Sequence, residues 1–327
     1  MRVADLMIDA RRLWPGESAW DGPLAFVDLD HPQAPEMLAL PPCPVIGLGD
    51  GAHPLAAMLD AVIEAPVTAE AILRQVLAAP RAAAAIVELL RVLPALDVEA
   101  GLATESMAYA MLQGSAEHRL WLDGLTRPET AATSEGALEL VRRDDRLIVT
   151  LASPQSGNAI DRAMRDALFD ALSLAALDPG IVRISLRAVG RTFSFGADLA
   201  EFGTTTDPAT AHAIRRRTLP ALVAARCADR LDVHIQGGCV GSGLELAAWG
   251  ARVTAAADAW FQLPELAMGI LPGAGGCVSL TRRIGRQRTA LMILSGKRLN
   301  ARQALGLGLV DAIVDEPSGD NGGANVG

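Results

Sequence analysis

Hydrophobic residues recur at helical spacing between residues 54 and 125 and at strand-like spacing after Ala137, and this change of period divides the chain. The runs Pro54–Glu64, Ala69–Ala78, Arg81–Leu93 and Val98–Leu112 are rich in Ala and Leu and predict helices. Pro66, Pro80 and Pro94 separate them, and Thr68 is placed to cap the second. A helical region over 58–125 is therefore expected. Ahead of it, residues 1–57 are proline-rich and irregular. Leu24–Leu29 and Val45–Leu48 read as short strands, with Pro41, Pro42 and Pro44 between them, and Gly47–Gly51 reads as a turn. Thr126–Glu135 is polar, with Thr, Ser and Pro, so 126–136 is the expected linker.

Beyond the linker, Leu138–Arg142 and Leu147–Leu151 flank a charged turn and predict a hairpin. Ala159–Leu177 predicts an amphipathic helix, Val182–Leu186 a buried strand, Ala209–Ala225 a helix and Asp232–Gln236 a short strand. Strands alternating with helices predict an α/β core over 137–317. The glycine-rich, polar residues 318–327 are expected to be disordered.

Composition narrows the function classes. Half of the 327 residues are hydrophobic and a fifth charged, as in a folded globular protein with a substantial core. The net charge of −9 and pI of about 5.1 argue against a nucleic-acid partner. No apolar run reaches the ~18–20 residues that span a bilayer, and the N-terminus does not read as a signal peptide. A soluble, cytoplasmic protein is expected. Cys43, Cys227, Cys239 and Cys277 form no C-x-x-C pair and read as free thiols. The five scattered histidines read as packing or surface residues, and no metal site is expected.

The stretch from Gly237 to Pro272 carries the candidate chemistry. It opens with Gly237, Gly238, Gly241 and Gly243, runs into a helix over Leu244–Trp249, and continues to Leu263-Pro264-Glu265. Glu245 and Glu265, 20 residues apart, stand in apolar surroundings. Glycines ahead of a helix leave backbone N–H groups free for a ligand oxygen. Two carboxylates beside such donors suit acid/base chemistry at a polarised carbonyl. The same residues also suit a helix-face ion pair and a capped turn.

Five motifs then fall in register over residues 137–316. They are Leu151–Ala159 (LASPQSGNA), Thr192–Leu199 (TFSFGADL), Ile235–Leu246 (IQGGCVGSGLEL), Phe261–Gly276 (FQLPELAMGILPGAGG), and Leu294-Ser295-Gly296 with Ala301–Val310. In order and spacing this segment resembles the crotonase (enoyl-CoA hydratase/isomerase) superfamily. The resemblance implies a spiral of ββα units that binds an acyl-CoA thioester and holds its oxygen with two backbone N–H groups. By position these fall on Ser194 and Ser242. It implies that Glu245 and Glu265 orient water and shuttle protons in hydration of a 2-enoyl-CoA, with Glu265 the donor at the α-carbon. Ser194, Phe195, Gly196 and Ala197 would run along the adenine and pantetheine side of the CoA. Gln155 stands where many members carry a lysine near the CoA phosphates. Asp198 would cap the next helix, and Cys277 reads as packing. No cofactor is implied, since CoA belongs to the substrate. The family's trimer, or dimer of trimers, is the expected assembly. The alternatives are another crotonase-type reaction, such as isomerisation or a biosynthetic variant, and a non-catalytic acyl-CoA-binding protein.

The ends depart from the family pattern. Relatives continue past the Gly308-Leu309-Val310 element into helices that cover the active site. Here Leu59–Pro66 (LDAVIEAP) echoes Val310–Pro317 (VDAIVDEP), and the residues after the first copy resemble those that relatives carry after the second. Two readings of residues 59–125 follow: they supply the covering helices from the front of the chain, as in a circular permutation, or they form an unrelated helical domain and the echo is chance.

Overall fold

Short Val-, Ile- and Phe-rich segments between prolines begin the fold. In the computed structural model, which describes residues 1–13, 20–30, 39–126 and 136–314, β1 (Ala25–Asp28), β2 (Val45–Leu48) and β3 (Ala61–Val62) form a small parallel sheet in that order. The helix expected over Pro54–Glu64 is not formed. Pro54–Met58 makes one 3-10 turn, and the chain then extends so that Ala61 pairs with Ile46. Asp60 enforces this: its N–H donates to the Val45 carbonyl (3.0 Å) and its carboxylate accepts from the Val45 N–H (2.8 Å). The linker expected over 126–136 falls almost wholly, and the tail expected over 318–327 wholly, outside the described residues.

Four helices come next, α1 (Ala69–Ala78), α2 (Pro80–Val92), α3 (Val98–Gln113) and α4 (Ala116–Asp123). Side chains cap three of them. Thr68 accepts from the Ala71 N–H, Asp97 from Ala100 and Ser115 from His118. The expected hairpin forms as β4 (Leu138–Arg143) and β5 (Arg146–Leu151). α5 (Arg162–Leu177) starts three residues later than Ala159, at the capping Asp161. After β6 (Arg183–Ala188), the single helix expected over Ala209–Ala225 is two, α6 (Pro208–Thr218) and α7 (Ala221–Ala224). Pro220 has no N–H to continue the ladder. Then come β7 (Leu231–Ile235), β8 (Gly238–Val240), α8 (Ser242–Ala247), β9 (Arg252–Ala255) and β10 (Trp260–Gln262). α9 (Gly276–Ile284), α10 (Arg286–Ser295), β11 (Leu299–Asn300), α11 (Ala301–Gly306) and β12 (Ala312–Ile313) complete the described chain.

A six-stranded sheet runs β12-β9-β7-β6-β5-β4, parallel except for β4, and a smaller sheet runs β11-β10-β8. β7 and β9 in the large sheet are each followed by a strand of the small one, β8 and β10, so the chain coils between two sheets. The loop after β6 joins the small sheet through a bridge between Ser194 and Cys239. The N-terminal helices are not a separate body. Ile72, Val76, Ile86, Val87 and Leu102 lie in one continuous hydrophobic core with Leu266, Val278, Leu291 and Leu294. α1 packs on α10, α3 on α6 and α9, and α4 on the 3-10 turn Glu265–Met268. Among the described residues no helix is long and apolar enough to cross a membrane.

The two echoed segments adopt one local structure. Asp311, like Asp60, exchanges backbone and side-chain hydrogen bonds with a valine on the neighbouring strand: its N–H donates to Val253 O (2.7 Å) and its carboxylate accepts from Val253 N (2.6 Å). Each aspartate also meets an arginine, Arg91 at 2.6 Å and Arg283 at 2.6 Å, which donates in turn to backbone carbonyls. Burial separates the two clamps, since the Asp60 side chain is 2% exposed and that of Asp311 44%. Arg91→Met strands a buried charge and is expected to cost about 3–5 kcal/mol in urea unfolding. Arg283→Met leaves its aspartate in water and should cost visibly less. Equal losses would contradict this explanation.

Candidate active site

The site grows from the turn between β8 and α8. Gly241 (φ 50°) reverses the chain directly into the helix. The Glu245 N–H to Gly241 carbonyl bond (2.9 Å) opens the α-helical ladder, so the Ser242 N–H precedes it and stays free of intrahelical partners. Glu245 lies on the first turn and is buried. One of its oxygens accepts from the N–H groups of Ala274 (2.6 Å) and Gly276 (2.9 Å), and its own carbonyl accepts from the Ser279 hydroxyl (2.8 Å). Only glycine fits at 276, because a Cβ there would lie 2.4 Å from Glu245 Cγ.

Glu265 opens the 3-10 turn after β10 and is also buried. Its Oε2 has no partner among the described residues. Burial pushes the Glu245 carboxyl up to about 7, against the pull of the Ala274 and Gly276 N–H groups. Burial and then the Glu245 charge raise Glu265 well above the usual carboxylate range. The environments differ in degree: Glu245 is provided with two N–H donors of the 274–276 segment that favour the anion, whereas Glu265 has only its own backbone N–H.

Both glutamates line a cavity of about 200 Å³ together with Phe195, Gly196, Ala197 and Ser242. One expectation changes. The Ser194 N–H does not face this cavity, because it donates to the Gly238 carbonyl (3.1 Å) in the bridge between loop and small sheet. The buried Ser194 side chain instead braces the loop, donating to Asn158 O (2.8 Å) and accepting from Gly196 N–H (3.1 Å). Three residues on, Ala197 lines the cavity, and its N–H has no partner among the described residues. The strand geometry thus makes Ala197, not Ser194, the available donor opposite Ser242. Gln155 is exposed on the turn Pro154–Ser156, outside the lining of the cavity. Asp198 accepts from the Ala200 N–H (2.9 Å) and caps the next turn, and Cys277 is buried with its thiol on Pro272 O (3.5 Å).

Three residues were not singled out from the sequence. Tyr109, the chain's one tyrosine, reaches the cavity from α3, and burial pushes its hydroxyl up to about 12. Arg215 of α6 lines the cavity and stacks on Tyr109, 4.2 Å from the ring centroid. Glu105 is buried on α3. A carboxylate within the mostly apolar run Gly101–Leu112 was the available signal for it. Among the described residues no cluster could hold a metal ion. A carboxylate held by two N–H donors, a carboxyl that burial pushes toward its neutral form and two free N–H groups around one cavity can exchange a proton beside a polarised carbonyl.

Comparison with known proteins gives a consistent result. The profile described as enoyl-CoA hydratase/isomerase matches residues 146–318. The chain is 35% identical over 175 residues to 2,3-dehydroadipyl-CoA hydratase of Escherichia coli K12, covering 53% of this chain and 68% of that one. It is also 35% identical over 176 residues to a probable enoyl-CoA hydratase of Mycobacterium tuberculosis, covering 54% and 68%. The crystal structure of a protein titled putative enoyl-CoA hydratase/isomerase from Mycobacterium abscessus superposes with a TM-score of 0.51 at 33% identity, covering 55% of this chain and 71% of that one.

Proposed function

Because the chain belongs to the enoyl-CoA hydratase/isomerase family of the crotonase superfamily, we propose that it hydrates a 2-enoyl-CoA thioester. The observation that carries this reading is the pair of buried glutamates, one held by two N–H donors and one whose Oε2 has no partner among the described residues, on a shared cavity. Water adds to C3 of the enoyl group while Glu245, as the anion, accepts a proton from it. Glu265, as the acid, delivers a proton to C2. The thioester oxygen, enolate-like between these events, is held by the N–H groups of Ala197 and Ser242. The sum is one water added and no net change in the two carboxyls once they re-equilibrate.

Residues 59–125 act as the roof of the site in this reading, supported by Tyr109 in the cavity wall and by His118 Nδ1 at 2.8 Å from Met268 O. Met107 and Met111, one turn apart on α3, and Leu120 on α4 are exposed apolar residues, which supports a homo-oligomer.

Incubation with short and long 2-enoyl-CoAs, following loss of the conjugated-thioester absorbance, tests the reaction. Turnover with a water adduct as product is expected. CoA-thioester binding without turnover on any chain length would overturn it, and a shifted double bond as product would favour isomerisation.

A bell-shaped pH profile is expected for kcat/KM. Glu245 must be ionised, and its raised value of about 7 means that activity falls as pH drops through that point, approaching tenfold per unit. Glu265 must be protonated, so activity falls again at higher pH. The two limbs belong to the coupled pair. A profile flat down to pH 5 would contradict the assignment.

A further inference from the structure

Three glutamates are buried among the described residues, and the reaction above uses two of them. The third, Glu105, comes from α3 in the N-terminal helices and is 1% exposed. Its Oε1 accepts from the Gly275 N–H (2.7 Å) and its Oε2 from the Val278 N–H (3.2 Å). Glu245 takes Ala274 and Gly276 of the same turn. The two carboxylates therefore hold interleaved amides of one short segment, and together they satisfy N–H groups at the start of α9 that its own ladder cannot. One helical turn beyond Glu105, Tyr109 packs against Gly273, where a Cβ would lie 1.9 Å from the ring. A single face of α3 thus holds the segment 273–278 at both ends. Gly275, with φ 97°, is in a left-handed conformation that glycine adopts without strain.

We propose that Glu105 is a positioning residue for the acid/base pair: it fixes the 274–278 turn, and the turn in turn supplies the two N–H groups that orient Glu245. The N-terminal helices then complete the reacting site as well as cover it. The proposal rests on the hydratase reading for its kinetic consequence, whereas the fixing of the turn can be read without any reaction.

Glu105→Ala removes both acceptors. Glu105→Gln keeps the shape and one acceptor oxygen, which can still serve the Gly275 N–H. For Glu105→Ala the expected result is a kcat about a hundredfold lower with KM for the enoyl-CoA changed by less than about twofold, as befits a group acting on the chemical step. Glu105→Gln is expected to recover roughly a tenfold share of that loss. Hydrogen exchange supplies the second readout. The peptide spanning 272–279 should be protected in the unaltered protein and should exchange at least tenfold faster in Glu105→Ala, with the peptides of β5 and β6 unchanged. Should Glu105→Ala not fold, Glu105→Gln decides alone: unaltered kcat and unaltered exchange at 272–279 overturn the proposal. Unchanged exchange with full kcat in the alanine variant overturns it equally. If the unaltered protein turns over no enoyl-CoA, the hydratase reading fails, and the exchange result still decides whether Glu105 fixes the turn.

Discussion

Glu245→Gln is expected to lower kcat for enoyl-CoA hydration by about 10²–10⁴-fold, with KM altered little. Glu265→Gln should do the same. The glutamine at 245 can still accept from Ala274 or Gly276, so the turn survives, but it cannot take a proton from water at neutral pH. At 265 the amide cannot release a proton to carbon. Since both act in one step, the double variant should fall little further than either single one. Asp198→Asn is the contrasting variant: its side chain caps a turn through the Ala200 N–H, and an asparagine can do that, so turnover should stay within about threefold. Steady-state rates on one 2-enoyl-CoA check all four proteins. Wild-type kcat in both single variants would mean that the reacting groups lie elsewhere.

Two features explain why the glutamates were visible in the sequence and the N–H donors only partly so. A carboxylate in an apolar run is a costly placement that needs a partner or a task, and Glu245 and Glu265 both stand in such runs. Ser242 could be read because a glycine turn runs straight into a helix there. The partner donor depended on how the 192–199 loop hydrogen-bonds to the small sheet. The motif spans only a few residues, and shifting the available N–H from Ser194 to Ala197 takes a strand bridge that no local pattern announces. The same limit applies to Glu105 and Tyr109. Their helix was legible, but its neighbours were not, because the contacts to Gly273 and Gly275 join positions more than 160 residues apart in sequence.

The misread elements have local causes. Pro54–Glu64 has helical composition, yet Asp60 is drawn to the Val45 backbone and Arg91, and that long-range clamp outweighs propensity. Pro220 was present in the sequence as a breaker within Ala209–Ala225, and the structure breaks there. The echo between 59–66 and 310–317 carried more than its eight letters suggested. In both copies the aspartate clamps a neighbouring strand, and the next two residues form an edge strand that pairs in parallel with it.

Separating the N-terminal region from the rest should be harmless if the cut is covalent only, and severe if the region is lost. Cleavage within 127–135, or co-expression of 1–126 with 136–327, is expected to yield a complex that co-purifies and retains turnover within about tenfold. Residues 136–327 alone should show none. The reason lies in the core. Ile72, Leu73, Val76, Ile86, Val87, Leu89, Leu90, Leu93, Leu102 and Leu112 are buried in the cluster that also contains the apolar faces of α9 and α10. At about 1.5–3 kcal/mol per buried large side chain, these residues contribute up to about 15–30 kcal/mol, so losing even part of that burial is comparable to the ~5–15 kcal/mol by which a domain is stable. The same loss strips Tyr109 from the cavity wall and Glu105 from the Gly275 and Val278 amides. In the split complex all of these contacts re-form by association, since none depends on the segment that is cut. Co-expression, size-exclusion chromatography and the enoyl-CoA assay read the outcome directly. A soluble, fully active 136–327 fragment would show that the helices of 59–125 are an appendage with no part in the site.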